Sequence, residues 1–533
     1  MVVISLFLSI SFLFQQKKSQ FSFPAIASLP LLLVFMMATQ ALLGMVSIPN
    51  IVYPLMYLLL TALAIWFGAN CFGEDKALSP LSFVLAFAHL IAGLVSVAMQ
   101  LTQIFSLYLD PFVMYFPAGA QVLMRPFANV AQPNQLALLL CFSLASLWWL
   151  FQVGRIKAVW SMGLALLLLV GLALTQSRIA WIILPLFVLL CGFRIVGARA
   201  VSRFALLGLL AFYVALVMLT PYVSEALGFA PVSALERAGG RSERSVLWQQ
   251  AWAMAVQHPW LGVGWFGFGA EQVKMAADFS STTYAEHSHN LILNFLAELG
   301  FPFTICFFAA LLIWFYRTCV AGGRLRKAEV AFAVMCFIAV GVHSMVEYPL
   351  WYANVLIPMA IWMGALHQHR WQTPARTVPR ALPAVLGLLG LVLVVLVTLD
   401  YLRVVRGFKA FNGLAHWSEV SQEAIAKPAW TLLPDYFDYF QLMNVEPRAG
   451  MRAEEIAFVE RLSRRFGYVH VLNKLAEVYV WNGQEQKAVR TMVTLQRLHP
   501  LSYPTYFDYW QHKAKEQASF AAVAAQMPPR DAP

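Results

Sequence analysis

The chain is divided into a succession of apolar segments, each close to the length that crosses the hydrocarbon of a bilayer, and nothing else in it limits the possible folds so sharply. A span needs about 20 mostly apolar residues, and in lipid only a helix satisfies its backbone groups within one segment. Eleven such segments are expected, at residues 24–44, 51–72, 81–104, 134–152, 157–175, 178–196, 202–222, 289–316, 328–346, 349–366 and 381–400. A twelfth apolar stretch, Met1 to Phe14, precedes Lys17 and Lys18 but is shorter than a full span. It reads as a clipped helix or, alternatively, as a signal peptide, although no small-residue cleavage site follows it. The expected fold is all-α: a polytopic membrane helix bundle of about 11 to 12 spans.

With 60% hydrophobic and 12% charged residues, a net charge of +11 has to be located before it is read as a nucleic-acid patch. Residues 1–400 hold 34 charged residues and residues 401–533 hold 29, so a membrane body carries a polar tail. The basic residues of the body fall in alternate loops: Lys17 and Lys18, Lys76, Arg155 and Lys157, Arg194 to Arg203, Arg317 to Lys327, and Arg370 to Arg380. Basic loops stay cytoplasmic, so nucleic acid is not an implied partner. The remaining loops face outward: 45–50, 105–133, the junction at 175–178, the long stretch 223–288, the turn at 343–349 and everything after Asp400. In the tail, Leu475, Ala476, Tyr479, Gly483, Ala488 and Pro500 match one tetratricopeptide-like helical hairpin, with small residues where helices touch and Gly at the turn. Solenoid surfaces of that kind bind protein, the plainer reading being a cap on the membrane body. All six cysteines lie in or beside apolar runs, which argues against a disulfide framework.

Ionisable groups near the hydrocarbon are costly, which makes each one a candidate for function. Arg178 ends the junction Thr175-Gln176-Ser177-Arg178, where it is either functional or a snorkelling anchor. Arg237, Arg241 and Arg244 lie in the long outer loop, where solvated charge is the alternative. That loop ends in residues 284–300, in which His289 and Asn290 open a helix and Asn290, Asn294 and Glu298 form a polar stripe along one face. A histidine exchanges a proton near neutral pH, and arginines fork onto the oxygens of a phosphate or diphosphate. Together they describe phosphate-linked chemistry at the outer surface. His287, His289, His343 and Glu347 have the atom types of a metal site, but their spacing matches no dedicated zinc motif and the nearby arginines would repel a cation. No metal or other cofactor is expected. The glycines of 261–269 follow no strand and read as a tight turn rather than a nucleotide loop.

At these residues the chain resembles the O-antigen ligase superfamily and, within it, the bacterial O-linked oligosaccharyltransferases of the PglL type. His289-Asn290, nine residues and then Gly300 is similar to the superfamily's His-[Asn/Ser/Gln]-x9-Gly pattern, with Phe303 departing from the small residue or Tyr usual near its end. Thr-Gln-Ser-Arg178 resembles its arginine element before a span, and Arg244 to Trp248 followed by His258-Pro-Trp-Leu-Gly-Val-Gly264 resembles its loop signature. Gln132-Pro-Asn134-Gln and Glu347-Tyr348-Pro-Leu-Trp-Tyr after His343 look like the protein-glycosylating branch. The resemblance implies a domain at 1–400 and a periplasmic helical domain at 401–533. It implies en bloc transfer of a glycan from an undecaprenyl-diphosphate-linked donor to a hydroxyl, with Ser of a pilin-like periplasmic protein as the expected acceptor, at the bacterial inner membrane and without metal. His289 would be the general base, while Arg178 and Arg244 would hold the diphosphate. Asn290, Arg241, Gln132, Asn134, His343, Glu347 and Tyr348 would contact substrate. The alternatives are a ligase onto lipid A core, a polysaccharide polymerase or a transporter of the lipid-linked sugar. The tail argues against the first two. Against the third, the polar residues gather at the outer ends of spans rather than at the midplane between internal repeats.

Overall fold

A computed structural model of the chain describes residues 2–12, 20–115, 125–226, 243–411 and 421–531. The helices of the body, in chain order, are α1 (Val2–Phe12), α2 (Ser28–Leu42), α3 (Ile48–Phe72), α4 (Asp75–Ile104), α5 (Pro133–Gln152), α6 (Ala158–Leu174), α7 (Ala180–Gly192), α8 (Arg203–Ala226), α9 (Glu243–Gln257), α10 (Phe268–Met275), α11 (Leu291–Leu299), α12 (Phe301–Phe315), α13 (Ala328–His343), α14 (Ala353–Trp371) and α15 (Leu382–Phe411). The C-terminal helices are α16 (Ser421–Ile425), α17 (Pro434–Asn444), α18 (Ala453–Arg465), α19 (Val469–Trp481), α20 (Glu485–Leu498), α21 (Tyr503–Glu516) and α22 (Ala518–Ala524). The protein is an all-α, multi-pass membrane bundle. Every expected span is helical, and among the described residues seven helices are long and apolar enough to cross a membrane, with α6, α7 and α13 shorter but equally apolar.

Two expectations are corrected. The span expected at 289–316 is divided at Gly300, whose φ of +79° ends α11 and begins α12. A Cβ at Gly300 would lie 2.5 Å from the Trp260 carbonyl oxygen, so only glycine permits this turn and approach. The last span does not stop at Asp400, since α15 continues to Phe411. Asp400 is buried there, and its Oδ2 accepts bonds from the Thr431 hydroxyl and the Leu432 amide, both at 2.8 Å.

The apolar core centres on α5, 72% of which is buried, whereas the spans at Arg203–Val223 and Leu382–Ala410 are 17% buried and present residues such as Phe204 and Leu388 outward. In a soluble protein that surface would be a liability; here it faces lipid. α1 packs along α15 and buries Leu6, Phe7 and Ile10. Two short strands break the helical pattern, Gln20–Ser22 (β1) pairing antiparallel with Ala375–Thr377 (β2).

That pairing joins the loop after Lys18 to the loop containing Arg376. The Asn70 amide, from the end of α3 nearest Lys76, bonds to the Ser22 backbone. The Gly197 amide donates to the Leu325 carbonyl (2.8 Å), the Gln152 side chain bridges to Arg199, and the Trp371 indole donates to the Thr318 hydroxyl. The basic loops therefore meet at one end of the bundle. The C-terminal helices pack at the other end, where α19 and α20 form a helical hairpin with Leu475, Ala476, Tyr479 and Ala488 buried and Gly483 in its turn.

Candidate active site

The end of the bundle away from the basic loops collects the starts of α5, α7 and α11 and the turn after α13. Pro at the first position of α5 suits a helix start, and the preceding Gln132 is the cap, its side-chain oxygen accepting the Gln135 amide at 2.6 Å. Gln132, expected to touch substrate, is thus committed to ending a helix. Asn134 on the first turn points into a polar network. Its Oδ1 accepts from the Ser177 hydroxyl (2.9 Å) and from Arg125 Nη2 (3.0 Å), and its Nδ2 donates to Glu347 Oε1 (2.9 Å). Arg125 Nε also donates to the Thr175 carbonyl at 2.7 Å, on the turn that leads through Ser177 to the half-buried Arg178.

Glu347 is the centre of this network. Its side chain is 7% exposed, and it forms an ion pair with Arg244 through Oε1 and a contact with His289 Nδ1 through Oε2 at 3.1 Å. Burial alone would raise this carboxyl. The hydrogen bond from His289 and the Arg244 guanidinium outweigh burial and hold it below the usual carboxylate range. An ionised carboxylate only accepts, so His289 Nδ1 carries the hydrogen and donates it to Glu347.

His289 is held with φ at +55°, a left-handed conformation that histidine tolerates better than branched residues but that still costs about 1–3 kcal/mol. The surroundings enforce it. Asn290 caps α11 by accepting the Leu293 amide (3.0 Å) while its Nδ2 donates to the Met345 carbonyl (3.1 Å), and the Leu291 amide donates to the Ser344 carbonyl (2.8 Å). The expected polar stripe is similarly committed: Asn294 Oδ1 accepts the Ser288 amide and Glu298 Oε1 the Phe268 amide. The glycine turn at 261–269 serves the same scaffold, with Gly262 in the left-handed region and its would-be Cβ 2.2 Å from the Glu298 carbonyl carbon.

Above the imidazole, the Tyr348 ring lies 5.2 Å from His289 and 4.1 Å from His287. Burial, with His289 beside it, pushes the His287 imidazole down to about 4, so this ring is neutral. His343 is fully buried at the end of α13, its carbonyl accepting the Glu347 amide (2.9 Å), and has no exposed surface for a substrate contact. Arg237 and Arg241 lie outside the described residues. Among the described residues no three His, Cys, Asp or Glu side chains gather as a metal would need. Below the cluster opens a cavity of about 240 Å³, headed by His287, His289, Glu347 and Tyr348, with Asn290, Asn294 and Glu298 on one wall and mostly apolar side chains such as Leu33, Phe308 and Met363 elsewhere.

Sequence reasoning brought Arg178, Arg244, His289 and Glu347 to one surface but missed Arg125 and Ser177 as parts of the network. Arg125 carried the same signal as Arg178, an arginine in an outward loop beside a span.

The family described as O-antigen ligase matches residues 163–308, and the family described as virulence factor membrane-bound polymerase, C-terminal, matches residues 331–516. The chain is 25% identical over 392 residues to the general O-oligosaccharyltransferase of Acinetobacter baylyi, covering 71% of this chain and 67% of that protein. It is 28% identical over 244 residues to the ComP-specific O-oligosaccharyltransferase of the same organism, covering 45% of this chain and 43% of that protein. The first family match carries Arg178, Arg244 and His289, the second carries Glu347 and most of the C-terminal helices, and the structure joins the two through the His289–Glu347 contact. On these grounds the chain is similar to the O-antigen ligase superfamily and, within it, to the O-oligosaccharyltransferases.

Proposed function

We propose that the protein transfers a preassembled oligosaccharide en bloc from undecaprenyl diphosphate to a serine hydroxyl of a pilin-like protein, on the periplasmic side of the bacterial inner membrane. The observation that carries this reading is a histidine oriented through Nδ1 by a buried carboxylate and set beside arginine at the head of a largely apolar cavity. His289 Nε2 accepts the proton of the acceptor hydroxyl. The oxygen attacks the anomeric carbon as the bond from that carbon to the diphosphate oxygen breaks, and the electron pair leaves with undecaprenyl diphosphate. Such base catalysis is worth typically 10² to 10⁴ in rate. Arg178 and Arg244 meet the charge growing on the leaving diphosphate, Arg125 steadies the Thr175–Arg178 turn, and direct displacement inverts the configuration. The apolar cavity has the chemistry for the first isoprene units of the donor.

The periplasmic assignment follows from the positive-inside rule applied to the end where the basic loops meet. The match to a polymerase family favours a second reading, extension of the glycan itself, in which a sugar hydroxyl replaces serine. Coexpression with a lipid-linked glycan pathway and mass spectrometry of periplasmic proteins separates the two. Glycosylated protein supports the first reading, whereas longer lipid-linked glycan with no modified protein supports the second. His289→Ala should abolish either product at normal expression, and full activity of that variant excludes the base.

A further inference from the structure

The C-terminal helices do more than cover the bundle, because they hold the segment that leads into His289. Residues 282–286 run against the tail: the Thr282 amide donates to the Arg497 carbonyl (2.9 Å) and the Tyr284 amide to the Leu498 carbonyl (3.1 Å). The Tyr284 hydroxyl donates to the Arg465 carbonyl (2.9 Å), and its ring packs edge-on against Tyr468. At the end of this run Arg465 Nη1 reaches Glu286 Oε1 (3.1 Å) while Nη2 reaches Asp435 Oδ2 (3.2 Å). Glu286 immediately precedes His287, whose ring lies 4.5 Å from that of His289.

We propose that Arg465 is a positioning residue that, through Glu286, holds the 282–289 segment so that His289 keeps its left-handed conformation toward Glu347. Three observations make this more than surface pairing. The Arg465 side chain is only 24% exposed and spans two carboxylates, one on the catalytic segment and one on α17, so it links the segment to the tail's own core. A guanidinium meets two carboxylates in fixed directions, which a flexible ammonium does not. The strained φ of His289 persists only where the flanking chain is over-determined, and the tail supplies half of that flank. An acceptor protein engaging α17 to α20 would thereby act on the base without touching it.

This inference rests on the proposed role of His289, and its test separates the two. Full-length protein in proteoliposomes is assayed for transfer and for amide hydrogen exchange in residues 282–289. Arg465→Gln and Glu286→Gln are each expected to lower kcat at least fivefold with donor KM within twofold, and to raise exchange in that segment at least tenfold while α5 and α13 stay protected. Arg465→Lys and Asp435→Asn, each of which keeps one part of the clamp, should fall between them and wild type. Unchanged exchange in the segment, unchanged kcat in Arg465→Gln, or exchange that rises equally throughout α18 to α20 would overturn the proposal. A fully active His289→Ala would remove the base instead, and the exchange result would still decide whether Arg465 holds the segment.

Discussion

Replacing Glu347 by Gln keeps the shape of the side chain and removes its charge, which isolates what the carboxylate does. Glu347 accepts from three donors in the structure: Arg244 and Asn134 on Oε1, and His289 Nδ1 on Oε2. Glutamine has one accepting oxygen and one donating amide, so whichever way it turns, an amide hydrogen faces a former donor. If the oxygen stays with Arg244 and Asn134, the amide faces His289 Nδ1, and that nitrogen must become the acceptor. The proton then sits on Nε2 and the base is lost. Even with the oxygen on His289, a charge-assisted bond worth about 1.5–3 kcal/mol becomes a neutral one. The difference from a neutral bond, about 1–1.5 kcal/mol, at about 1.36 kcal/mol per factor of ten lowers kcat roughly 5- to 13-fold, with a larger loss for the flipped tautomer. Single-turnover transfer from a lipid-linked oligosaccharide to acceptor in proteoliposomes measures this directly. A kcat within twofold of wild type would refute the orientation of His289 by Glu347.

Arg178→Lys and Arg244→Lys keep charge but lose the fork, so each should lose most transfer activity, and wild-type turnover in both would make them ordinary loop charges. His287→Ala should retain partial activity, unlike His289→Ala. His287 also predicts a pH dependence: its ordinary value of 6.5 is lowered to about 4 in the fold, so below about 6.5 the unfolded chain takes up a proton that the folded one refuses. Stability therefore falls between pH 6.5 and 4 by up to about 3 kcal/mol, and thermal unfolding in detergent should show a smaller acid loss for His287→Gln. Transfer by purified protein should be unchanged in excess chelator; loss with rescue by one divalent ion would establish a metal role.

The spans were legible because hydrocarbon thickness and loop charge act on sequence-local quantities, length and the placement of Lys and Arg. The break at Gly300 was not, since apolar composition runs without interruption across it and only the close approach of the Trp260 carbonyl forces the turn. His289 and Arg244 were legible as residue types that do phosphate chemistry at a span's end. Their common partner Glu347 lies 58 and 103 residues away in sequence, and no local pattern encodes that meeting. The capping roles of Gln132 and Asn290 were not legible for a related reason, since a polar side chain before a helix serves capping as readily as binding, and only the Gln135 and Leu293 amides reveal the first. The seam between 282–286 and the tail rests partly on the backbone amides of Thr282 and Tyr284, which carry no sequence signal, and partly on Glu286 meeting Arg465 across 179 residues.

The antiparallel pair Gln20–Ser22 with Ala375–Thr377 governs the order in which the molecule can assemble. The Ser22 hydroxyl donates to the carbonyl of Thr373, 351 residues away, and α1 rests on α15, which follows in the chain. A ribosome adding about 5–20 residues per second leaves α1 and its strand waiting roughly 20–70 s for these partners to emerge. During that interval α1 has an open flank and the strand an unpaired edge, so this side of the bundle is sealed only after more than 350 further residues have been made. Nascent chains arrested before Ala375 should therefore hold α1 accessible to cross-linking from lipid or insertion factors, and release past Phe411 should close it off.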